Sequence, residues 1–316
     1  MAVPNASITR VPGLRVGHAQ DVDARTGCTV LLGPFRGACF VSGLATGTRE
    51  LDVFHPNHVV ESIDALLLTG GSAYGLGAAN GVVEWLRERG LGFATPAAAV
   101  PIVPAAVIYD LGVGRADRWP DAAMARAACD AADDSPVSEG QVGVGTGATV
   151  GKLLGIERSA PGGVGTAVEE SDQPDAPIVA ALVVVNAIGD VLDGRGGILA
   201  GPRLDDGSLA ESVELIRRRG AQAFAGAVPP TNTTLAVVAT DAPLGRTALA
   251  ALARMAGTAL PRRISPVHTP FDGDITFALS TAAEPRRFHP PDLFALGVRA
   301  ASALERAIER AVTSAS

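Results

Sequence analysis

The chain has 316 residues, 26 of them basic and 33 acidic, for a formal net charge of −7; 47% are apolar and 4% aromatic, and 37 are glycine. The apolar share is enough for a packed core, and the modest charge excludes a disordered polyelectrolyte and argues against a general nucleic-acid binder. The glycines follow no three-residue period, which excludes a collagen-like rod.

Length alone, at about 150 residues per domain, suggests two domains. The N-terminus lacks a basic stretch followed by an apolar one, so no signal peptide is expected. No apolar run reaches the ~18 residues of a membrane span, so a soluble, cytoplasmic protein without membrane contact is expected. Short apolar runs rich in β-branched residues predict strands at 28–32, 65–68, 105–109, 178–185, 235–240 and 275–279. Helical spacing predicts helices at 72–89, with Leu76, Ala79, Val83 and Leu86 on one face, and at 120–132, 208–219 and 243–256. A last helix, 291–312, opens on proline and repeats Leu293, Leu296, Ala300, Leu304 and Ile308. Glycine-rich loops cover 69–77, 140–152 and 193–197, while 169–177 reads as a flexible tract and 223–230 as a second break. Strands and helices interleave without a dividing linker, so helices should cover sheet faces in an α/β or α+β fold.

Several familiar motifs fail. The stretch Gly143-x-Gly145-x-x-Ala148 follows no convincing strand, as a dinucleotide turn must. Gly151-Lys152 is followed by leucine, where a phosphate-binding loop needs Ser or Thr for magnesium. His55 and His58, with Asp52 nearby, lack a second ligand cluster and read as surface or hydrogen-bonding residues. Arg262-Arg263 and Arg286-Arg287 are too short for a nucleic-acid groove. Cys28, Cys39 and Cys129 are widely spaced and form no CxxC pair, so they read as small buried hydrophobes in a reducing compartment.

Two features carry more. Lys152 is the one lysine; every other basic residue is arginine. Arginine keeps its proton, whereas a lysine on a glycine-rich loop can titrate. The second is the turn and strand of 229–243, a proline pair and Asn232-Thr233-Thr234 leading into a β-branched run. An internal threonine hydroxyl is a weak nucleophile. A cut just before it would free an α-amine of pKa about 8 within reach of that hydroxyl.

Seven segments, in order, join these features: VPGLRVGHAQD (11–21), LLLTGGSAYGL (66–76), AAVIYDL (105–111), GVGTGATVGK (143–152), VVVNAIGDVLD (183–193), NTTLAVVATDA (232–242) and HTPFDGDITFALST (268–281). Together they resemble the P1 family of peptidases, the group of the L-aminopeptidase/D-esterase, the β-aminopeptidases and the 6-aminohexanoate-oligomer (nylon oligomer) hydrolase. The resemblance implies an α+β fold, a four-layer αββα sandwich like the N-terminal-nucleophile hydrolases but with different connectivity. It implies one domain over 1–316, cut by its own chemistry between Asn232 and Thr233 into chains 1–232 and 233–316.

On that resemblance Thr233 is the nucleophile, supported by Thr234. Lys152 tunes the nucleophile and neutralises nearby carboxylates, and Asn186 helps hold the tetrahedral oxyanion. Asp272 and Asp274 match the acidic pair of the nylon-hydrolase branch, where the β-aminopeptidases carry Ser-x-Glu, and they orient Lys152 or bind a substrate amine. Tyr109 sits at the substrate end of its strand. Thr at the nucleophile and Asp-Gly-Asp place the catalytic centre nearer the nylon hydrolase, while the N-terminal half reads as much like the aminopeptidases. The implied substrate is a small peptide or amide, the assembly a homotetramer of processed pairs, and neither cofactor nor metal is called for. Two rivals stay open: an acyltransferase resembling ornithine acetyltransferase, and an unprocessed binding protein on the same fold.

Overall fold

The computed structural model describes residues 5–224 and 232–315. Most of the break expected at 223–230, with its proline pair Pro229 and Pro230, therefore lies outside the described residues. Nine strands form the main sheet: β1 (Arg15–Asp21), β2 (Thr26–Val41), β3 (Thr48–Arg49), β4 (Ser62–Thr69), β5 (Ala105–Val107), β6 (Gly163–Glu169), β7 (Val179–Asn186), β8 (Thr233–Thr240) and β9 (Ile275–Ser280). Their order is β6-β7-β8-β9-β2-β4-β5-β3, with β1 on the free side of β2. Pairing is parallel for β8/β9 and β4/β5 and antiparallel elsewhere.

Alternation of side chains along the strands explains how one sheet makes two layers. β2 runs for 16 residues with a register shift between Leu32 and Phe35; its first half pairs with β1 and β4, its second with β9. Leu66 and Leu68 from β4 share a core with Leu182, Val184, Leu235, Val237 and Phe277 from β7, β8 and β9, so the two halves face each other. The intervening residues point outward. Ala181, Val183, Ala236 and Val238 pack under helices Arg246–Ala256 and Pro290–Thr313. Cys28, Val30, Leu32, Ala65 and Leu67 pack under helices Ala79–Glu88 and Ala122–Asp130. Three cores separate four layers, αββα, as the resemblance implies. Each fully buried Leu or Val in them contributes roughly 1.5–3 kcal/mol.

Small residues set the layer spacing. A Cβ on Gly165 in β6 would lie 2.0 Å from the carbonyl oxygen of Ala307, so only glycine lets the last helix approach this closely. Differences from the sequence expectation have local causes. The helix expected at 72–89 comes in three pieces, Ser72–Gly75, a 3₁₀ turn Leu76–Ala78, and Ala79–Glu88. The helix expected from 208 begins at Ser212, and the one expected from 243 begins at Arg246. The strand expected to reach Tyr109 ends at Val107. The tract 169–177 is clasped at both ends, Arg299 donating to the carbonyls of Glu169 and Pro177 at 2.9 Å each. His55 and His58 serve local turns, their Nδ1 atoms accepting from the backbone of Asn57 and Val60. Cys28 and Cys129 are buried free thiols and Cys39 is half-buried. Among the described residues no helix is long and apolar enough to cross a membrane.

Candidate active site

Strand register places Thr233. It is the first residue of β8, buried, and pairs with Asn186, the last residue of β7. On its other side β8 and β9 run parallel, Leu235 opposite Ile275. The same offset continues past the end of β9, where Asn232 bridges Asp272. Thr233 therefore lies between Asn186 and Gly273, and the two aspartates flank it because they neighbour its own neighbours. Leu235 faces the inter-sheet core, as does Val184, so two-residue alternation turns Thr233 and Asn186 toward that same side.

The carbonyl before Thr233 is held from two directions. Gly273 donates its N–H to Asn232 O at 2.8 Å, and Thr233 Oγ1 lies 2.6 Å from the same oxygen. Glycine is required at 273, because a Cβ there would sit 2.6 Å from Ala45 O and 2.9 Å from Thr233 Oγ1. Asn232 Nδ2 donates to Phe271 O at 3.2 Å, while its Oδ1 is buried without a hydrogen-bond partner among the described residues.

Lys152 reaches the centre from a 3₁₀ turn, Lys152–Leu154, anchored by its own N–H on Ile188 O just beyond β7. Its Nζ donates to Asn186 Oδ1 at 2.7 Å and to Asn186 O at 3.1 Å. Oδ1 also accepts the Thr149 N–H at 3.1 Å, and Nδ2 donates to Tyr109 O at 3.2 Å. Two donors on one side and a carbonyl on the other fix the amide's orientation. Tyr109 thus enters through its backbone, two residues past the end of β5. Burial pushes the Lys152 amine down to about 7, against the attraction of the Asp272 and Asp110 carboxylates. A lysine tuned this way is divided between its two forms near neutrality and can accept a proton.

The aspartates do not orient Lys152 through direct bonds. Asp274 Oδ1 accepts the Thr234 N–H at 2.7 Å, and its Oδ2 accepts from His268 N at 3.2 Å and Nδ1 at 2.9 Å. Asp272 Oδ2 accepts from Thr269 N at 2.9 Å and Oγ1 at 2.6 Å. These carboxylates shape the strand mouth and act on Lys152 through space. Burial, then the neighbouring Asp274, pushes the Asp272 carboxyl above the usual range. Thr234 shares the site through its backbone, its Oγ1 buried without a partner among the described residues.

Sequence reasoning missed Asp110. It is buried and accepts from Thr26 Oγ1 and Gly71 N, both at 2.7 Å. Burial pushes its carboxyl up, and the Thr26 and Gly71 hydrogen bonds, with a smaller part from the Lys152 charge, pull it back. It stands next to Tyr109 within the quoted AAVIYDL segment, but only the fold brings Lys152 near it. Among the described residues, no group of three His, Cys, Asp or Glu is placed to hold a metal ion.

Residues 6–316 match the family described as Peptidase family S58. The chain is 42% identical over 296 residues to an uncharacterized aminopeptidase of Mycobacterium leprae, covering 90% of this chain and 80% of that one. It is 32% identical over 278 residues to the 6-aminohexanoate-oligomer endohydrolase of a Kocuria species, covering 85% and 73%. A β-aminopeptidase of a Burkholderia species superposes with a TM-score of 0.72 at 25% identity, covering 98% of this chain and 87% of that one. The L-aminopeptidase/D-Ala-esterase/amidase of Ochrobactrum anthropi, described as a new variant of the Ntn-hydrolase fold, superposes at 0.75 with 20% identity, covering 100% and 88%.

Proposed function

The chain belongs to peptidase family S58, and on that premise we propose that it is a self-processing amidohydrolase with Thr233 as its nucleophile, acting on small peptides or amino-acid amides. One observation carries this reading. The Thr233 hydroxyl lies against the carbonyl of the bond before it, and that oxygen already accepts the Gly273 N–H.

In maturation the neutral Lys152 amine takes the Thr233 hydroxyl proton, and Oγ1 attacks the Asn232 carbonyl carbon. The Gly273 N–H holds the oxyanion that forms on Asn232 O. The carbon–nitrogen bond breaks as the Thr233 nitrogen gains a proton, leaving an ester that water hydrolyses to the Asn232 carboxylate and a free Thr233 amine. In turnover Oγ1 attacks a substrate amide, the amine product leaves with a proton, and water releases the acyl group. Here the Thr233 α-amine shares the base role with Lys152, and Asn186 helps hold the substrate oxyanion. Asp272 or Asp274 receives a substrate amine. The reading extends to one domain of two chains, cytoplasmic, assembled as a homotetramer of processed pairs.

Thr in place of Ser and Asp-Gly-Asp at 272–274 favour a second substrate class, ω-amino-acid oligomers, the class named for the Kocuria relative. Intact mass tests the central claim: active protein should contain chains 1–232 and 233–316, and Thr233→Ala should give one inactive chain. Uncut protein with full activity would overturn it. A panel of aminoacyl amides, β-peptides and 6-aminohexanoate oligomers sorts the substrates. An added acyl acceptor that outcompetes water would point to an acyltransferase instead.

A further inference from the structure

Thr149, whose N–H shares Asn186 Oδ1 with Lys152, has a second role open to it. The residue is 6% exposed, its Oγ1 is buried with no hydrogen-bond partner among the described residues, and it lines a cavity of about 430 Å³. Arg25 lines the same cavity. This arginine is half-buried; its Nη2 donates to Gln141 Oε1 at 3.3 Å, while its Nε and the Gln141 Nε2 are buried without partners among the described residues. The arginines Arg115 and Arg118 pair with Asp117 and with Asp21 and Asp121, but Arg25 enters no ion pair among the described residues. Val113, Ile156 and Pro161 complete an apolar wall, and the carboxylate of Glu157 stands on the exposed rim, where solvent screens it.

Buried donors without acceptors are costly, and a guanidinium without a counter-ion is costlier. A carboxylate supplies the missing counter-ion, because the planar guanidinium fork matches it in shape. A cavity of this size accommodates a ligand as small as a dipeptide. We propose that it receives a carboxylate of the substrate, selected by Arg25 and lodged one hydrogen bond away from Asn186. This rests on the amidohydrolase reading, with Arg25 as a specificity residue.

The test uses the mature, cleaved enzyme, titrated calorimetrically with hydrolysis-resistant analogues of alanyl-alanine, its C-terminal amide and glutamyl-alanine amide, in which the peptide carbonyl is reduced to methylene. Alanyl-alanine should bind at least tenfold tighter than its amide. Adding Arg25→Gln should weaken alanyl-alanine by about 10- to 100-fold, the range for a charge-assisted bond, and leave the amide unchanged. Arg25→Lys should recover part of the loss. Arg25-dependent binding of the glutamyl ligand alone would keep the proposal but move the carboxylate to the acyl side chain. Equal affinity for acid and amide, or equal weakening of both by Arg25→Gln, overturns it. If Arg25→Gln does not fold, the acid-to-amide ratio with Arg25 intact still decides. Absence of self-cleavage or hydrolysis in the unaltered enzyme would instead defeat the amidohydrolase reading, a result separable from these affinities.

Discussion

On the proposed self-processing, the Thr233 nitrogen of the uncut precursor is an amide, so the α-amine that would serve as base in the cleaved enzyme does not yet exist. Lys152 is then the proposed base for the hydroxyl proton, and its amine lies at about 7. Self-cleavage followed against pH should show an acid limb centred there. At pH 5, two units below that value, roughly one lysine in a hundred is neutral, against half at pH 7, so cleavage should slow about 50-fold. Lys152→Arg, which cannot release its proton, should cut cleavage at least 100-fold. Asp272→Asn supplies a directional check. The Asp272 carboxylate helps hold the proton on Lys152, so removing its charge should move the limb to lower pH. The assay is quantitative intact-mass spectrometry of precursor refolded into buffers from pH 5 to 9. A rate flat from pH 5 to 8, or Lys152→Arg cleaving at the normal rate, would refute the reasoning.

Other expectations follow from the same geometry. Thr233→Ser should still cleave, whereas Thr233→Ala should remain a single 32.0 kDa chain by intact mass. Gly273→Ala must displace Ala45 or the Thr233 hydroxyl, so it should block cleavage and cost about 1–3 kcal/mol in urea unfolding. Lys152→Met tests the buried amine by linkage. The folded pKa of about 7 lies below the ordinary 10.5, so the unfolded chain binds the extra proton between these values. Across that window the stability of the unaltered protein relative to Lys152→Met should rise with pH, by up to about 1.4 kcal/mol per unit, read from urea midpoints at pH 7, 8 and 9. A flat or falling difference would show that the folded lysine's pKa is not lowered.

Much of the fold was legible where strands are buried on both faces, because such strands are continuous apolar runs. β7, β8 and β9 were found this way. β1 was missed because RVGHAQD is half polar, and β6 because GVGTAVE carries two glycines. β2 was read only to Leu32, since Pro34 looks like a strand end, yet the strand resumes pairing at Phe35. Within the site, Lys152 stood out by being the sole lysine, and Thr233 by its place between a turn and a strand. Asp110 had no such signal. It is one of 33 acidic residues, and its partners Thr26 and Gly71 are far away in sequence.

The sequence alone determined which residue types could do the chemistry: one titratable lysine, a threonine at a strand mouth, and an Asp-Gly-Asp segment ahead of another strand. Tertiary structure decided how they act. Parallel pairing of β8 with β9 brings Gly273 beside the bond before Thr233, and antiparallel pairing with β7 brings Asn186 to its other side. Burial then turned a surface-type lysine into a candidate base and directed it to Asn186 rather than to the aspartates. Spacing along a chain does not encode register or desolvation, which arise only when separate strands share a sheet and water is excluded between the layers.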